Sequence, residues 1–160
     1  MFPNTMRRWL YRQRHASRLA RFLNAVQARL AAAGVGPNWL VMVEVTGRRT
    51  GRTISFPAVI TDYQNNRYLV SMLGGDTSWV RNVRAAGGHA VVRHGGREPV
   101  TLHEVEVDRR APILRCYLQR APGARAHIPV DYRAPVEAFE PIAAQYPVFR
   151  ITPAEEVGAR

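Results

Sequence analysis

No lysine occurs in the 160-residue chain: all 23 basic side chains are arginine, and against 12 acids they leave a formal net charge of +11. Such an excess calls for an anionic partner. Guanidinium stays charged and presents a planar fork of donors, which suits phosphate and carboxylate. Cysteine is almost missing. Cys116 stands alone in the helix-like run Ile113-Leu114-Arg115-Cys116-Tyr117-Leu118, so an intramolecular disulfide and a cysteine-rich zinc site are excluded. A buried, inert thiol in a reducing cytoplasm is expected. Long apolar runs are missing too. No stretch reaches the roughly 18 uncharged apolar residues of a spanning helix, and no apolar leader core precedes a small-residue cleavage site.

Several chemical signatures are absent as well. The sequence holds neither G-x-G-x-x-G nor G-x-x-x-x-G-K-[ST], the two common phosphate-cradling loops. It has no G-x-S-x-G elbow and no S-x-x-K, so hydrolase chemistry lacks support. His15, His89, His94, His103 and His127 show no ligand spacing with acids or with Cys116, and no metal is expected. What is present is an ordinary globular composition, 46% apolar and 22% charged, at a length that suits one domain.

Residues 5–33 carry Leu19, Phe22, Leu23, Val26 and Leu30 at helical spacing among arginines, which predicts an amphipathic helix ended by Gly34. Residues 1–37 thus read as a helical segment preceding a domain over 38–160. From residue 38 the texture turns to period two. Val41, Val43 and Val45 alternate with Leu40, Met42 and Glu44, predicting a strand buried on both sides. A second strand is expected over Ile54–Thr61, a turn at Asn65-Asn66 and a third strand over Arg67–Leu73, the three lying side by side. Ser78 should cap a short helix reaching Ala86 and stopped by Gly87-Gly88. A hairpin follows from His89 to Val107, with a bulge near His103-Glu104 because the parity of the valines changes there. Helices over Arg110–Arg120 and Val136–Gln145 and a last strand over Val148–Ile151 complete the chain. Strands joined mostly by tight turns, with helices around them, predict an α+β fold on a small antiparallel barrel of about six strands.

Two arginine clusters carry the chemical signal. In Gly47-Arg48-Arg49-Thr50-Gly51-Arg52, three guanidiniums and a hydroxyl fall within six residues that include two glycines, a composition that suits phosphate. In Gly74-Gly75-Asp76-Thr77-Ser78-Trp79-Val80-Arg81-Asn82-Val83-Arg84, a glycine pair leads into a helix N-terminus, where free amides and the helix dipole attract anions. Trp79 adds a flat apolar surface there. Together the clusters describe a ligand with an anionic end and a flat apolar end.

Thr46-Gly47-Arg48-Arg49-Thr50-Gly51, Phe56-Pro57-Ala58-Val59, Gly74-Gly75 and Trp79-Val80-Arg81-Asn82-Val83-Arg84-Ala85, in this order and spacing, resemble the deazaflavin-dependent nitroreductase family. The likeness runs from about residue 38 to 107, more loosely through Tyr146-Pro147-Val148-Phe149-Arg150. It implies a split β-barrel and an F420H2-dependent reductase that passes hydride to a quinone, nitroaromatic or enone-type acceptor. By the same resemblance, Arg48, Arg49 and Thr50 would hold the phosphate and acidic tail of coenzyme F420. Ile54, Ser55, Phe56, Pro57, Ala58 and Val59 would border its ring, with Met72, Leu73 and Gly74 at the other edge. Ser78, Trp79, Val80, Arg81 and Asn82 would close over its ribityl phosphate. Tyr132 would be the proton donor or substrate contact. Where relatives carry a proline two residues before the tryptophan, this chain has Thr77 in a shorter loop.

FMN is the alternative cofactor, and a non-catalytic F420 carrier or an arginine-rich module for nucleic acid or lipid the alternative function. A cofactor explains why no catalytic cluster stands in the sequence, since the hard chemistry is then the cofactor's; no nucleic-acid partner is expected on this reading. Met6, Trp9, Leu10 and Tyr11 amid arginines suit a peripheral contact with an anionic membrane. Deleting residues 1–11 is accordingly expected to abolish co-sedimentation with anionic vesicles, each arginine near the surface contributing about 1 kcal/mol. Retained vesicle binding would place the contact elsewhere.

Overall fold

The computed structural model describes residue 34 and residues 36–155. The expected helix over residues 5–33 lies outside the described residues. Seven strands form one antiparallel sheet: β1 (Leu40–Thr46), β2 (Thr53–Val59), β3 (Thr61–Tyr63), β4 (Asn66–Val70), β5 (His89–Arg93), β6 (Arg97–Glu104) and β7 (Val148–Pro153). Their spatial order is β2-β1-β5-β6-β7-β4-β3. Helix α1 (Ser78–Ala85) sits between β4 and β5, and α2 (Ala111–Arg120) follows β6. Segments of 3-10 helix occupy 107–109, 122–126 and 136–145. The last was expected to be an α-helix, but Pro141 lies inside it and removes an amide donor.

The sheet order contains its own closure. β2 and β3 are the two outermost strands, yet only Ile60 separates them in sequence. The sheet must therefore curl until its edges meet, which makes it a barrel. The Ile60 amide donates to Trp39 O at 2.7 Å, and its side chain is buried with Val41, Leu69 and Phe149.

This changes the expected arrangement in several places. The run from Thr53 to Tyr63 is extended throughout but changes partners at Ile60, pairing with β1 before it and with β4 after it; one expected strand becomes two. The first two expected strands lie side by side, but the third meets the second only past Ile60, through β3, and takes β7 as its other neighbour. The hairpin turn falls on Gln64 and Asn65, with φ of 47° and 63°, as a two-residue turn of this hand requires. No bulge interrupts β6: its register to β7 is unbroken from Val100↔Pro153 to Glu104↔Phe149. The strand instead ends at Glu104, and Val107 leaves the sheet for a 3-10 turn.

Alternation along the strands separates two cores. Leu69, Phe149 and Ile151 join Val41, Val43, Val45, Val80 and Val83 inside the barrel. Tyr68, Val70 and Val148 face the other way, onto Leu114, Leu118 and Phe139, where each fully buried leucine or phenylalanine contributes about 1.5–3 kcal/mol. β1 is buried on both faces as expected, and its Glu44 is held by Arg93 at 2.9 Å and Arg97 at 3.2 Å. Cys116 is free but half-buried on α2, less enclosed than expected. Among the described residues no cluster of acids, histidines or cysteine could hold a metal, and no helix is long and apolar enough to cross a membrane.

Arg110 ties the two halves. Its buried guanidinium donates to Val105 O at 2.8 Å, Glu104 Oε2 at 3.1 Å and Ala143 O at 3.2 Å, joining β6 to the 136–145 segment. Glu104 also receives Arg84 through two bonds of 2.8 and 3.0 Å. That hydrogen bonding, with Arg110 behind it, holds the Glu104 carboxyl below its ordinary value; Arg67 does the same for Glu98. Carboxyls depressed in the fold stabilise it fully above the ordinary glutamate value of 4.5. That stabilisation is lost as pH falls through their folded values. The melting temperature should therefore drop on acidification from about pH 5 to 3. Glu104→Ala should cost about 1–3 kcal/mol at neutral pH and flatten that drop, as followed by thermal denaturation across pH.

Candidate active site

The Gly47–Arg52 turn joins β1 to β2. The Gly47 amide donates to Arg52 O at 2.7 Å and the Gly51 amide to Gly47 O at 2.9 Å, while Gly51 takes a φ of 69° that favours glycine. A Cβ on Gly47 would come within 3.0 Å of Ile54 Cδ1. The Thr50 hydroxyl accepts the Arg52 amide at 3.3 Å, which leaves its proton to donate. Arg48, Arg49 and Arg52 are exposed. The turn is fastened from beneath by Asn82, only 2% exposed. Its Oδ1 accepts the Arg48 amide at 3.2 Å and the Arg48 guanidinium at 2.8 Å.

Asn82 lies one helical turn from Trp79 on α1, so one short helix serves both the turn and an apolar cavity. Trp79 stacks on Phe56 of β2, ring centroids 5.1 Å apart, and tilts against Phe149 at 5.6 Å. Beside this stack lies a cavity of about 550 Å³, within the usual range of small-molecule sites. One wall is Phe56, Pro57, Ala58 and Val59 of β2; Leu69, Val70, Met72 and Leu73 form another; Tyr117 and Arg120 of α2, with the chain through Ala124, form a third.

The loop between β4 and α1 is tied by Ser71, whose hydroxyl donates to Gly74 O at 2.6 Å and lies 3.4 Å from Thr77 Oγ1. Thr77, not Ser78, is the N-cap residue of α1, and its side chain makes no cap bond. With its hydroxyl on the Ser71 side, the first-turn amides of α1 have no side-chain acceptor, and no acidic residue stands in that turn. Arg81 pairs at 2.9 Å with the exposed Asp76.

The residues singled out in the sequence therefore fall into groups. Phe56, Pro57, Ala58, Val59, Met72, Leu73 and Trp79 line the cavity together, and Gly74 borders a smaller hollow beside Met72 and Leu73. Arg48, Arg49 and Thr50 sit on the turn at the opposite end of β2, and Ile54 and Ser55, exposed on the strand, lie between. Ser78 is exposed at the α1 start, whereas Val80 is fully buried in the barrel core, leaving only its backbone for a ligand. Tyr132 does not line the cavity. Its ring lies 3.6 Å from the Arg125 guanidinium carbon and its hydroxyl accepts Arg133 Nε at 2.9 Å. Sequence reasoning missed Trp39, Tyr117, Arg120 and the Ala121–Ala124 stretch. Their i, i+3 spacing on one amphipathic helix was the available signal for Tyr117 and Arg120.

The donor set suits a ligand with a flat apolar part and an anionic tail. The cavity walls are apolar and aromatic, while β2, rising about 3.3 Å per residue, leads from them to three exposed guanidiniums. A second cleft of about 550 Å³ between β4, β7 and the start of α2 carries Tyr63, His103, Glu106, Arg109 and Arg150, a mixture of charges that does not suit an apolar ring.

A curled antiparallel sheet, with α1 packed into its inner core and α2 on the outer face of β4 and β7, makes the chain a split-barrel protein. The family of F420H2-dependent quinone reductases matches residues 13–138. The chain belongs to that family: it is an F420-dependent oxidoreductase, with coenzyme F420 as its cofactor and a quinone-type small molecule as its substrate. A solved structure described as a domain-swapped dimer is 19% identical with a TM-score of 0.51, covering 90% of this chain and 97% of that one. A protein of unknown function from Agrobacterium tumefaciens is 13% identical with a TM-score of 0.53, over 83% of this chain and 54% of that one. At these identities both show the fold alone. An F420-H2 dependent reductase, FDR-A, is 20% identical with a TM-score of 0.49, over 71% and 94% of the two chains. No curated protein matches the sequence.

Asn82→Ala removes both acceptor bonds to Arg48. It is expected to cost about 1–3 kcal/mol through the two hydrogen bonds lost and to raise amide hydrogen exchange across Gly47–Arg52 selectively. Unchanged exchange there would show that the turn holds itself.

Proposed function

We propose that the apolar cavity receives the deazaflavin ring of F420 between the Phe56–Val59 wall and Met72-Leu73, and that the Arg48-Arg49-Thr50 turn binds its phosphate and acidic tail. The observation that carries this reading is the continuity of the two features: β2 forms the cavity wall at one end and runs into the arginine turn at the other, with α1 bracing both through Trp79 and Asn82. Bound reduced F420 supplies a hydride from a ring carbon. The chain's own part is to exclude water with the Phe56–Trp79 stack, orient the two partners within one cavity and place charge where the product needs it. The uncapped start of α1 adds amide donors for the phosphate. Quinones, and by the same hydride chemistry nitroaromatics and enones, are the acceptors this site would take.

Fluorescence titration with purified F420 tests the reading, with FMN as the competitor; preferential FMN binding would overturn it. Replacing Arg48 and Arg49 with alanine should weaken F420 binding by about 1.5–3 kcal/mol for each charged hydrogen bond lost. Lysine at both positions should rescue only partly, because a point charge does not reproduce the guanidinium fork. F420 with a longer glutamate tail should bind more tightly at low ionic strength, a preference that salt erases. Parental affinity in the double alanine variant would remove the anion cradle from this turn.

A further inference from the structure

The α2 wall of the cavity carries two polar groups amid apolar neighbours. Tyr117 and Arg120 lie three residues apart, on one face of α2, and both line the cavity with Leu69, Val70, Ala121 and Ala124. Tyr117 is 5% exposed. Its hydroxyl has no hydrogen-bond partner among the described residues, where Thr61 Oγ1 is the side-chain atom both fully enclosed and unpartnered. The Tyr117 hydroxyl is thus neither paired nor enclosed, and on a residue that lines the cavity it is open to a ligand atom. Arg120 is anchored at one end only: Nη1 donates to Asp62 Oδ2 at 2.8 Å and to Ile60 O at 3.2 Å. Its Nε and Nη2 make no bond among the described residues.

We propose that Tyr117 and Arg120 form the oxygen-recognition end of the reductase cavity, Arg120 through its charge and Tyr117 as a neutral hydrogen-bond donor. The pair makes the enzyme prefer quinones that already carry an anionic oxygen over neutral alkyl quinones. The proposal rests on the cavity being the reductase site. Reduction adds one hydride, two electrons and one proton, to the quinone and yields a hydroquinone monoanion; a proton from water then completes the hydroquinone. Until that proton arrives, a full negative charge sits on oxygen between apolar walls, where it is costly unless paired. The free edge of Arg120, its other edge resting on the exposed Asp62, supplies charge-assisted donors, and the Tyr117 hydroxyl a second bond to the same oxygen. Burial pushes the Tyr117 hydroxyl up to about 12, above the ordinary phenol near 10. Tyr117 thus keeps its proton against a hydroquinone oxygen and donates a bond without giving the proton away.

The test is binding of two quinones to the full chain, read by quenching of tryptophan fluorescence: 2-hydroxy-1,4-naphthoquinone, an anion at neutral pH, and menadione, which is neutral. F420 is titrated against the same samples. The parent should bind the hydroxyquinone about tenfold more tightly or better, the worth of one charge-assisted hydrogen bond. Arg120→Met should erase the preference and Arg120→Lys keep part of it. Tyr117→Phe, which preserves packing, should weaken both quinones severalfold while leaving their ratio. F420 affinity should be parental throughout. The same ratio in Arg120→Met as in the parent, or parental quinone affinities in Tyr117→Phe, overturns the proposal. A parent that discriminates between the quinones but does not bind F420 upholds the pair and removes the cofactor assignment instead.

Discussion

One residue decides the topology. Ile60 alone separates the two outermost strands of the sheet, and a chain with a contour of only about 3.4 Å per residue cannot join distant edges. The sheet therefore closes. Closure turns the inward sides of β1, β4, β5, β6 and β7 toward one another and creates the inner core. It leaves the outer faces of β4 and β7 to be covered by α2 and the 3-10 segments. The apolar cavity lies at this seam, between β2, the loop after β4 and the end of α2, where the walls belong to elements distant in sequence. Arg120 marks the seam directly, since it donates to the carbonyl of Ile60 itself.

The arginine excess divides into two populations with different work. Arg67, Arg81, Arg84, Arg93, Arg97, Arg110 and Arg120 each reach a carboxylate, and Arg110 also gathers the backbone carbonyls of Val105, Ala143 and Tyr146. These side chains hold the fold together. Exposed pairs among them contribute little, while Arg110, enclosed and multiply bonded, has far more at stake. Arg49 and Arg52 reach no carboxylate among the described residues, and Arg48 is aimed by the neutral oxygen of Asn82, which positions its charge without cancelling it. Net charge on its own pointed to an anionic partner; the gathering of Arg48, Arg49 and Arg52 on one turn at the end of the β2 wall locates where such a partner fits.

Much of this was legible in the sequence, for a local reason. Strand alternation around Val41–Val45, the glycine-bounded arginine turn, the α1 helix before Gly87-Gly88 and the spaced family pattern all depend on neighbours within a few residues. The structure keeps each of them. The sequence by itself determined an antiparallel, arginine-rich, single-cysteine protein of a cofactor-using class, together with the two clusters and the β2 wall.

Tertiary structure alone decided the rest. That the extended run through Ile60 serves two edges, that β4 pairs with β3 and β7 at the far side of the sheet from β1 and β2, and that no bulge lies in β6 follow from the pairing of strands far apart in sequence, which local periodicity does not encode. The same holds for the site. Asn82, which the family resemblance sets near the ribityl phosphate, has its oxygen on Arg48 across 34 positions, and Tyr117 and Arg120 read as one helix face until closure brings them opposite β2. Conversely Val80, placed by the family resemblance among the ligand contacts, is turned inward by the helix period and enclosed in the core. Sequence specifies which groups are available; only burial and long-range pairing decide which of them face a common space.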